Sequence, residues 1–338
     1  MAKKGKSTEG KSTNSLMKHI RDKHRTNIKG SSDKQSLLDM GYYHGYKASK
    51  FIKKVDNQLE IANFSEIRAI YEFDLELKSI FYELLIQVET HLKNQAINYL
   101  VADSNPSLDF IYENMLIDYK SHAPDTAKYR QYLNKRLALR ESLDKTTAYN
   151  FSKSKSNIIR HFFHNNKPIP LWAIFEFITL GTFGHFISCL KKDCRIKLSQ
   201  NLKIHHTGFN GNGRILEKII FSFTPLRNAV MHNSMIYDCR FTNSDDSNQI
   251  KEYLKSVTGI KEIDFNYIVD YLILLVYLIS KQNKNKSDLK KYVKLYEKAT
   301  DKLHSHVSFS NFRLILGNDS EIKISTLNDY INKCKKVP

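Results

Sequence analysis

Residues 65–100 read SEIRAIYEFDLELKSIFYELLIQVETHLKNQAINYL. Ile70, Phe73, Leu77, Ile80, Phe81, Leu84, Leu85, Val88, Leu92 and Ile97 recur there at steps of three and four. That spacing lays apolar side chains along one wide face of an α-helix, whereas a half-buried strand alternates at every second residue. The stretch contains neither Gly nor Pro. It predicts a long core helix with at most one break, opened by Ser65 as N-cap, although Arg68 stands where a capping box would place Glu.

The rest of the chain agrees with that choice. It has 338 residues, 41% of them hydrophobic, with only 12 Gly and 6 Pro. So few turn formers argue against a β-sandwich, and the apolar content excludes wholesale disorder. The expected class is all-α, with at most a short hairpin near the C-terminus, where Gly317-Asn318-Asp319 could turn Ser310–Leu316 back on Glu321–Ile324. Helices are expected at about 249–257, 264–281 and 286–304, and the apolar run 171–190 reads as two buried helices around a turn near Gly181–Gly184, with Trp172 in the core.

Lys and Arg number 53 against 35 Asp and Glu, a net charge of +18. An AT-rich coding sequence would also enrich Lys, but the balance favours polyanionic partners, nucleic acid first and an anionic membrane second. Residues 1–33 are the most basic and carry few apolar anchors, so a disordered basic arm is expected, either gripping phosphates or solubilising the chain. Residues 34–240 are expected to form the core and 241–338 a helical extension that completes it. The longest apolar run, Ile268–Ile279, contains Asp270 and is shorter than a bilayer span. Cys189, Cys194, Cys239 and Cys334 form no CxxC pair. His205-His206 beside Cys194 lacks a second ligand pair, so no metal and no cofactor is expected. A cytoplasmic protein with reduced thiols and no membrane partner follows.

The string with chemistry is Thr224-Pro225-Leu226-Arg227-Asn228-Ala229-Val230-Met231-His232. Thr224 is a good N-cap and Pro225 suits a first helical position, so a helix over 224–238 is expected with Arg227 in its first turn. Free N–H groups there would attract an anion. Asn228 and His232 are four apart and share a face. A His can act as general base or acid near neutral pH, and a permanently charged Arg suits the equatorial oxygens of a phosphorane. Such a set could cut RNA through its own 2′-OH without metal. The plain alternative is a structural helix end with an exposed His.

Arg227-Asn228-x3-His232 resembles the signature of HEPN ribonucleases, in which Arg and His are separated by four to six residues. Glu89 and Lys93 are similar to a second HEPN element, Glu-x3-Lys/Arg, the alternative being an ordinary i,i+4 surface pair. Further blocks resemble the AbiD/AbiF branch of bacterial abortive-infection (Abi-like) proteins. They are Tyr42-Tyr43-His44-Gly45-Tyr46, Tyr71-Glu72-Phe73-Asp74 with Leu77-Lys78, Val88-Glu89 with Leu92-Lys93, and Pro170-Leu171-Trp172 with Glu176 and Thr179-Leu180-Gly181-Thr182. The resemblance covers roughly residues 37–235. Lys78 and Lys93 stand where the family usually has Arg.

The resemblance implies a HEPN-type helical bundle with additional helices, and an anti-phage effector that arrests growth by cutting single-stranded RNA. It implies Arg227, Asn228 and His232 as the catalytic set with Glu89 and Lys93 supporting it. Relatives are often silenced by a partner, in some systems a small noncoding RNA. Lys78, Arg160, His161 and His164 are assigned to RNA contacts, and the Lys-rich stretch 281–298 could add an RNA-facing surface. No Arg other than Arg227 has a His at the required spacing, so a homodimer is expected to supply the second His. The competing readings are an RNA-binding protein without catalysis and, less well matched, a membrane-active defence protein built on 268–279.

Overall fold

In the computed structural model, residues 10, 12–54, 57–102, 104–242 and 248–334 are described. Among them the fold is all-α, with isolated β-bridges and no strand. Its axis is the predicted long helix, which spans Phe64–Val101 without a break. The helix starts earlier than Ser65 because Asn63 is the N-cap and Glu66 the third residue. The Glu66 carboxylate accepts the Ala62 and Asn63 amides at 3.2 and 3.1 Å, completing the capping box that a cap at Ser65 would lack.

Two longer helices precede it, followed by the short helical turns Gly41–Lys47 and Ala48–Lys50. α1 (Thr13–His24) and α2 (Gly30–Met40) occupy much of the stretch expected to be a disordered arm. Met17 and Ile20, one turn apart, bury one face of α1, while its basic residues stay on the other. His24 Nδ1 lies 2.7 Å from the Tyr46 hydroxyl, tying α1 to the aromatic block at 42–46. Residues 1–9 and 11 lie outside the described residues. The long helix is α3. Beyond it come α4 (Leu108–Asn114), α5 (Ala127–Ser152), α6 (Asn157–His164), α7 (Leu171–Phe175), α8 (Leu180–Cys189), α9 (Lys192–Asn201) and α10 (Ile215–Met231). Residues 161–164 form the last turn of α6. The turn in the apolar run falls at 176–179, and Gly181 and Gly184 sit inside α8. Gly184 is required by packing: a Cβ there would meet the Phe221 ring at 2.7 Å, so its absence lets α8 and α10 close on each other.

The C-terminal third adds α11 (Asn248–Thr258), α12 (Ile268–Ser280), α13 (Lys286–His304), α14 (Phe309–Leu316) and α15 (Ser320–Lys333). The expected hairpin is instead the helix pair α14 and α15. Phe312, Ile315 and Leu316, then Ile324, Leu327 and Ile331, bury at helical spacing, and Gly317 at φ 83° ends α14 rather than turning two strands. α12 is buried on all sides, and α3 packs against α10, α12 and α13. One hydrophobic cluster runs from Met17 to Ile331. Phe175, Phe183 and Phe186 belong to it, whereas Trp172, expected in the core, is 42% exposed, because α7 turns that position outward. No helix of the described residues is long and apolar enough to cross a membrane.

Candidate active site

α10 carries the Arg-Asn-x3-His string, but not at its start. Thr224 is inside the helix, its hydroxyl donating to the Ile220 carbonyl at 2.7 Å, and Pro225 lies in the helix interior without breaking it. A proline there costs about 3 kcal/mol because it removes one backbone donor and crowds the preceding turn. The apolar stripe Ile219, Ile220, Phe223, Leu226, Ala229 and Val230 runs through the proline and stays buried, which offsets that cost. The helix therefore begins at Ile215 and stops at Met231, with His232 as its C-cap. This corrects the expected 224–238 helix and its first-turn anion site. The last turn presents carbonyls rather than free N–H groups, so any attraction for phosphate must come from side chains.

The end of α10 is a Schellman turn. The Asn233 amide donates to the Val230 carbonyl at 3.2 Å and the Ser234 amide to the Ala229 carbonyl at 2.8 Å, with Asn233 left-handed at φ 55°. α3 holds this turn from below. Lys78 Nζ donates to Asn233 Oδ1 at 2.8 Å and pairs with Asp74 Oδ2 at 2.7 Å. Asp74 Oδ1 accepts the amides of Ile236 at 2.7 Å and Tyr237 at 2.9 Å. Burial pushes the Asp74 carboxyl up from its ordinary pKa, against the pull of Lys78 and the two amides. Lys78, expected to touch RNA, is thus buried and committed within the fold. Asp74, quoted in a sequence block without a role, is the residue that fixes the chain leaving His232. Its signal was present in the sequence as a carboxylate inside an apolar stripe with Lys four residues on.

The second such pair on α3 is Glu89 and Lys93. Glu89 Oε1 is 2.9 Å from Lys93 Nζ and Oε2 is 3.1 Å from Arg227 Nε. Lys93 also donates to the Ile178 carbonyl at 2.9 Å, which fixes it between α3 and the segment before α8. The Glu89 side chain is only 10% exposed, so two cations meet a carboxylate largely removed from water. Arg227 uses Nε for this pair. Among the described residues its terminal nitrogens make no hydrogen bond, and a quarter of its side chain remains accessible. Glu89, Lys93 and Arg227 line a cavity of about 220 Å³ with Phe175 and Glu176. A larger cavity of about 480 Å³ lies among α13, α14 and α15, away from the motif.

Asn228 and His232 are exposed, and their side chains make no hydrogen bond among the described residues. The structure therefore joins Glu89, Lys93 and Arg227 directly and leaves Asn228 and His232 facing solvent at the same helix end. Arg160 donates from Nε to the Phe151 carbonyl at 3.1 Å, and His161 and His164 are exposed on α6. None of the three hydrogen-bonds or ion-pairs with Arg227. Among the described residues no group of three His, Cys, Asp or Glu is placed to hold a metal ion.

A family model described as Abi-like protein matches residues 35–238. The chain belongs to the Abi-like protein family. The matched span opens within α2 and closes on Asp238, just after the turn that Asp74 and Lys78 hold, so it contains both acid–base pairs of α3 and all of α10. Membership ties this Abi-like protein to abortive infection, a class of defence against phage. Comparison with curated proteins and with solved structures returns no match.

Proposed function

We propose that this Abi-like protein is a HEPN-type endoribonuclease of the AbiD/AbiF branch that cuts single-stranded RNA in the cytoplasm without metal. The supporting observation is the way Arg227 is held: Glu89 takes Nε and leaves the terminal guanidinium nitrogens free beside a cavity. In that position the fork can accept a phosphodiester and stabilise the extra charge of the phosphorane. His232 then removes the 2′-OH proton or protonates the leaving 5′-oxygen, and Asn228 orients a phosphate oxygen or the imidazole. Attack of the 2′-oxygen on phosphorus breaks the bond to the 5′-oxygen and leaves a 2′,3′-cyclic phosphate and a 5′-hydroxyl. A second copy of the chain supplies the second His, and a small RNA filling the site would silence it.

A second reading, RNA binding without cleavage, is favoured by the Glu89 carboxylate being shared by Arg227 and Lys93 and not bonded to His232. One assay separates the two. Purified protein incubated with single-stranded RNA in excess chelator should release fragments ending in 2′,3′-cyclic phosphate, and the His232→Ala variant should not. Intact RNA that co-elutes with the protein would select the binding reading.

A further inference from the structure

We propose that Trp172, Phe162 and Phe163 form a base-stacking shelf for an unpaired stretch of RNA, running away from the Arg227 cavity. This rests on the reading of that cavity as a phosphodiester site. Trp172 and Phe163 are 42% and 51% exposed, in a chain that buries most of its large apolar residues. The Trp172 and Phe162 rings meet edge to face at 5.7 Å between centroids, and the Phe163 and Phe151 rings at 5.0 Å. The aromatic row is therefore fixed by contacts of its own while its outer surface stays open.

Position links the row to the site. Glu176 continues the helical turn of α7 and lies four residues after Trp172, so both project from one face of that turn. Glu176 lines the cavity that Arg227 enters. The shelf thus begins one helical turn, about 5 Å, from the cavity wall, close to the spacing of neighbouring nucleotides.

Charge selects the occupant. Residues 146–176 contain Lys153, Lys155, Arg160 and Lys167 against one carboxylate, Glu176, at the cavity end of the shelf. Arg160 lies over the Phe151 ring at 5.8 Å, so cations interleave with the aromatics. An apolar partner helix would gain nothing from these cations, whereas a single strand matches both components, phosphates to the cations and base faces to the rings. A duplex hides its base faces and matches only the first.

Trp172 is the only Trp in the chain, so its fluorescence reports on this surface alone. The full-length protein is titrated with a 2′-O-methyl single-stranded RNA, which cannot be cut, with the same strand annealed to its complement, and with inorganic polyphosphate. The single strand should quench Trp172, and the other two should not. Trp172→Ala should weaken single-strand binding about tenfold, the scale of one stacked base, with an unchanged circular dichroism spectrum, and Trp172→Phe should restore most of it. Bound single strand without quenching, equal quenching by duplex or polyphosphate, or unchanged affinity of Trp172→Ala would overturn the shelf. So would Trp172 fluorescence that shifts with protein concentration alone, which would mark the face as a contact between copies. The probe reads binding only, so the shelf can stand where cleavage fails. Conversely, undiminished cutting by Trp172→Ala, together with no quenching of Trp172 in the wild-type protein, removes the shelf and keeps the ribonuclease.

Discussion

Arg227 Nε on α10 lies 3.1 Å from Glu89 Oε2 on α3, joining residues 138 positions apart. The same carboxylate holds Lys93 through its other oxygen. Glu89 thus keeps two cations together that would otherwise repel each other, and it sets which guanidinium edge faces outward. Glu89→Gln should keep a hydrogen-bond acceptor but lose the charge. RNA cleavage is expected to fall by about 10- to 100-fold, because orientation and not only charge is at stake, while urea unfolding shifts by about 1–3 kcal/mol. Full activity in Glu89→Gln would show that Arg227 does not depend on this partner.

His232→Ala and Arg227→Ala separate chemistry from folding. His232 is an exposed C-cap, so its loss should leave the urea midpoint nearly unchanged and reduce cleavage by about 10²–10⁴-fold. Arg227→Ala should give a loss of about 10²–10³-fold if its free nitrogens stabilise the phosphorane. Growth arrest in cells should follow the same order. Toxicity of His232→Ala equal to wild type at matched expression would remove His232 from the reaction.

Lys78 has a different kind of effect. Its ammonium is shared by Asp74 and Asn233 inside the fold. Lys78→Ala leaves the Asp74 carboxylate buried without its cation, and breaking such a pair costs about 3–5 kcal/mol. Denaturant unfolding should register that loss, and the salt dependence of RNA binding by the remaining folded protein should keep its slope. A shallower slope with unchanged stability would place Lys78 at the phosphate surface instead.

What the sequence made legible, and what it did not, has a common physical origin. α3 is legible because its stripe is long and uninterrupted, whereas Glu89 is marked in the sequence only by its resemblance to a family element, and its pairing with Arg227 across 138 positions is visible only in the fold. The start of α10 was misread because Thr224-Pro225 obeys the local rule for a helix start, while the apolar stripe from Ile215 continues the helix through it. Tertiary burial outweighed local preference there. α1 was missed because two buried residues, Met17 and Ile20, suffice to dock a short basic helix, too few to stand out in a polar stretch. Trp172 reads as core because it lies in the apolar run 171–190, but its outward position depends on where α7 begins, which no periodicity over five residues can fix.

α1 should respond to acid. His24 accepts or donates a hydrogen bond with the Tyr46 hydroxyl, and burial, then His19, Lys47 and Lys50, hold its pKa below the ordinary 6.5. The unfolded segment therefore binds the proton more readily than the docked one. The stability owed to this group is present above about pH 6.5 and is lost as the pH falls through the lower folded value. Hydrogen exchange of α1 amides should accelerate relative to α3 between pH 7.5 and 5.5, after correction for intrinsic rates. His24→Asn, which keeps a polar atom near the Nδ1 position but does not titrate, should flatten that dependence.

The last expectation concerns the number of chains at one site. Each chain offers one His232, while 2′-OH attack needs a base for the nucleophile and an acid for the leaving oxygen. In a two-fold dimer the exposed ends of two α10 helices would face each other, since an isologous contact repeats the same patch on both subunits. Exposure of Asn228 and His232 leaves them accessible for that arrangement. Wild type and His232→Ala should be mixed under exchange conditions and assayed across protein concentration. If both imidazoles are needed, heterodimers are inactive and activity falls with the square of the wild-type fraction, and specific activity rises with concentration through the dimerisation range seen by light scattering. Activity linear in the wild-type fraction and independent of concentration would assign both proton transfers to a single chain.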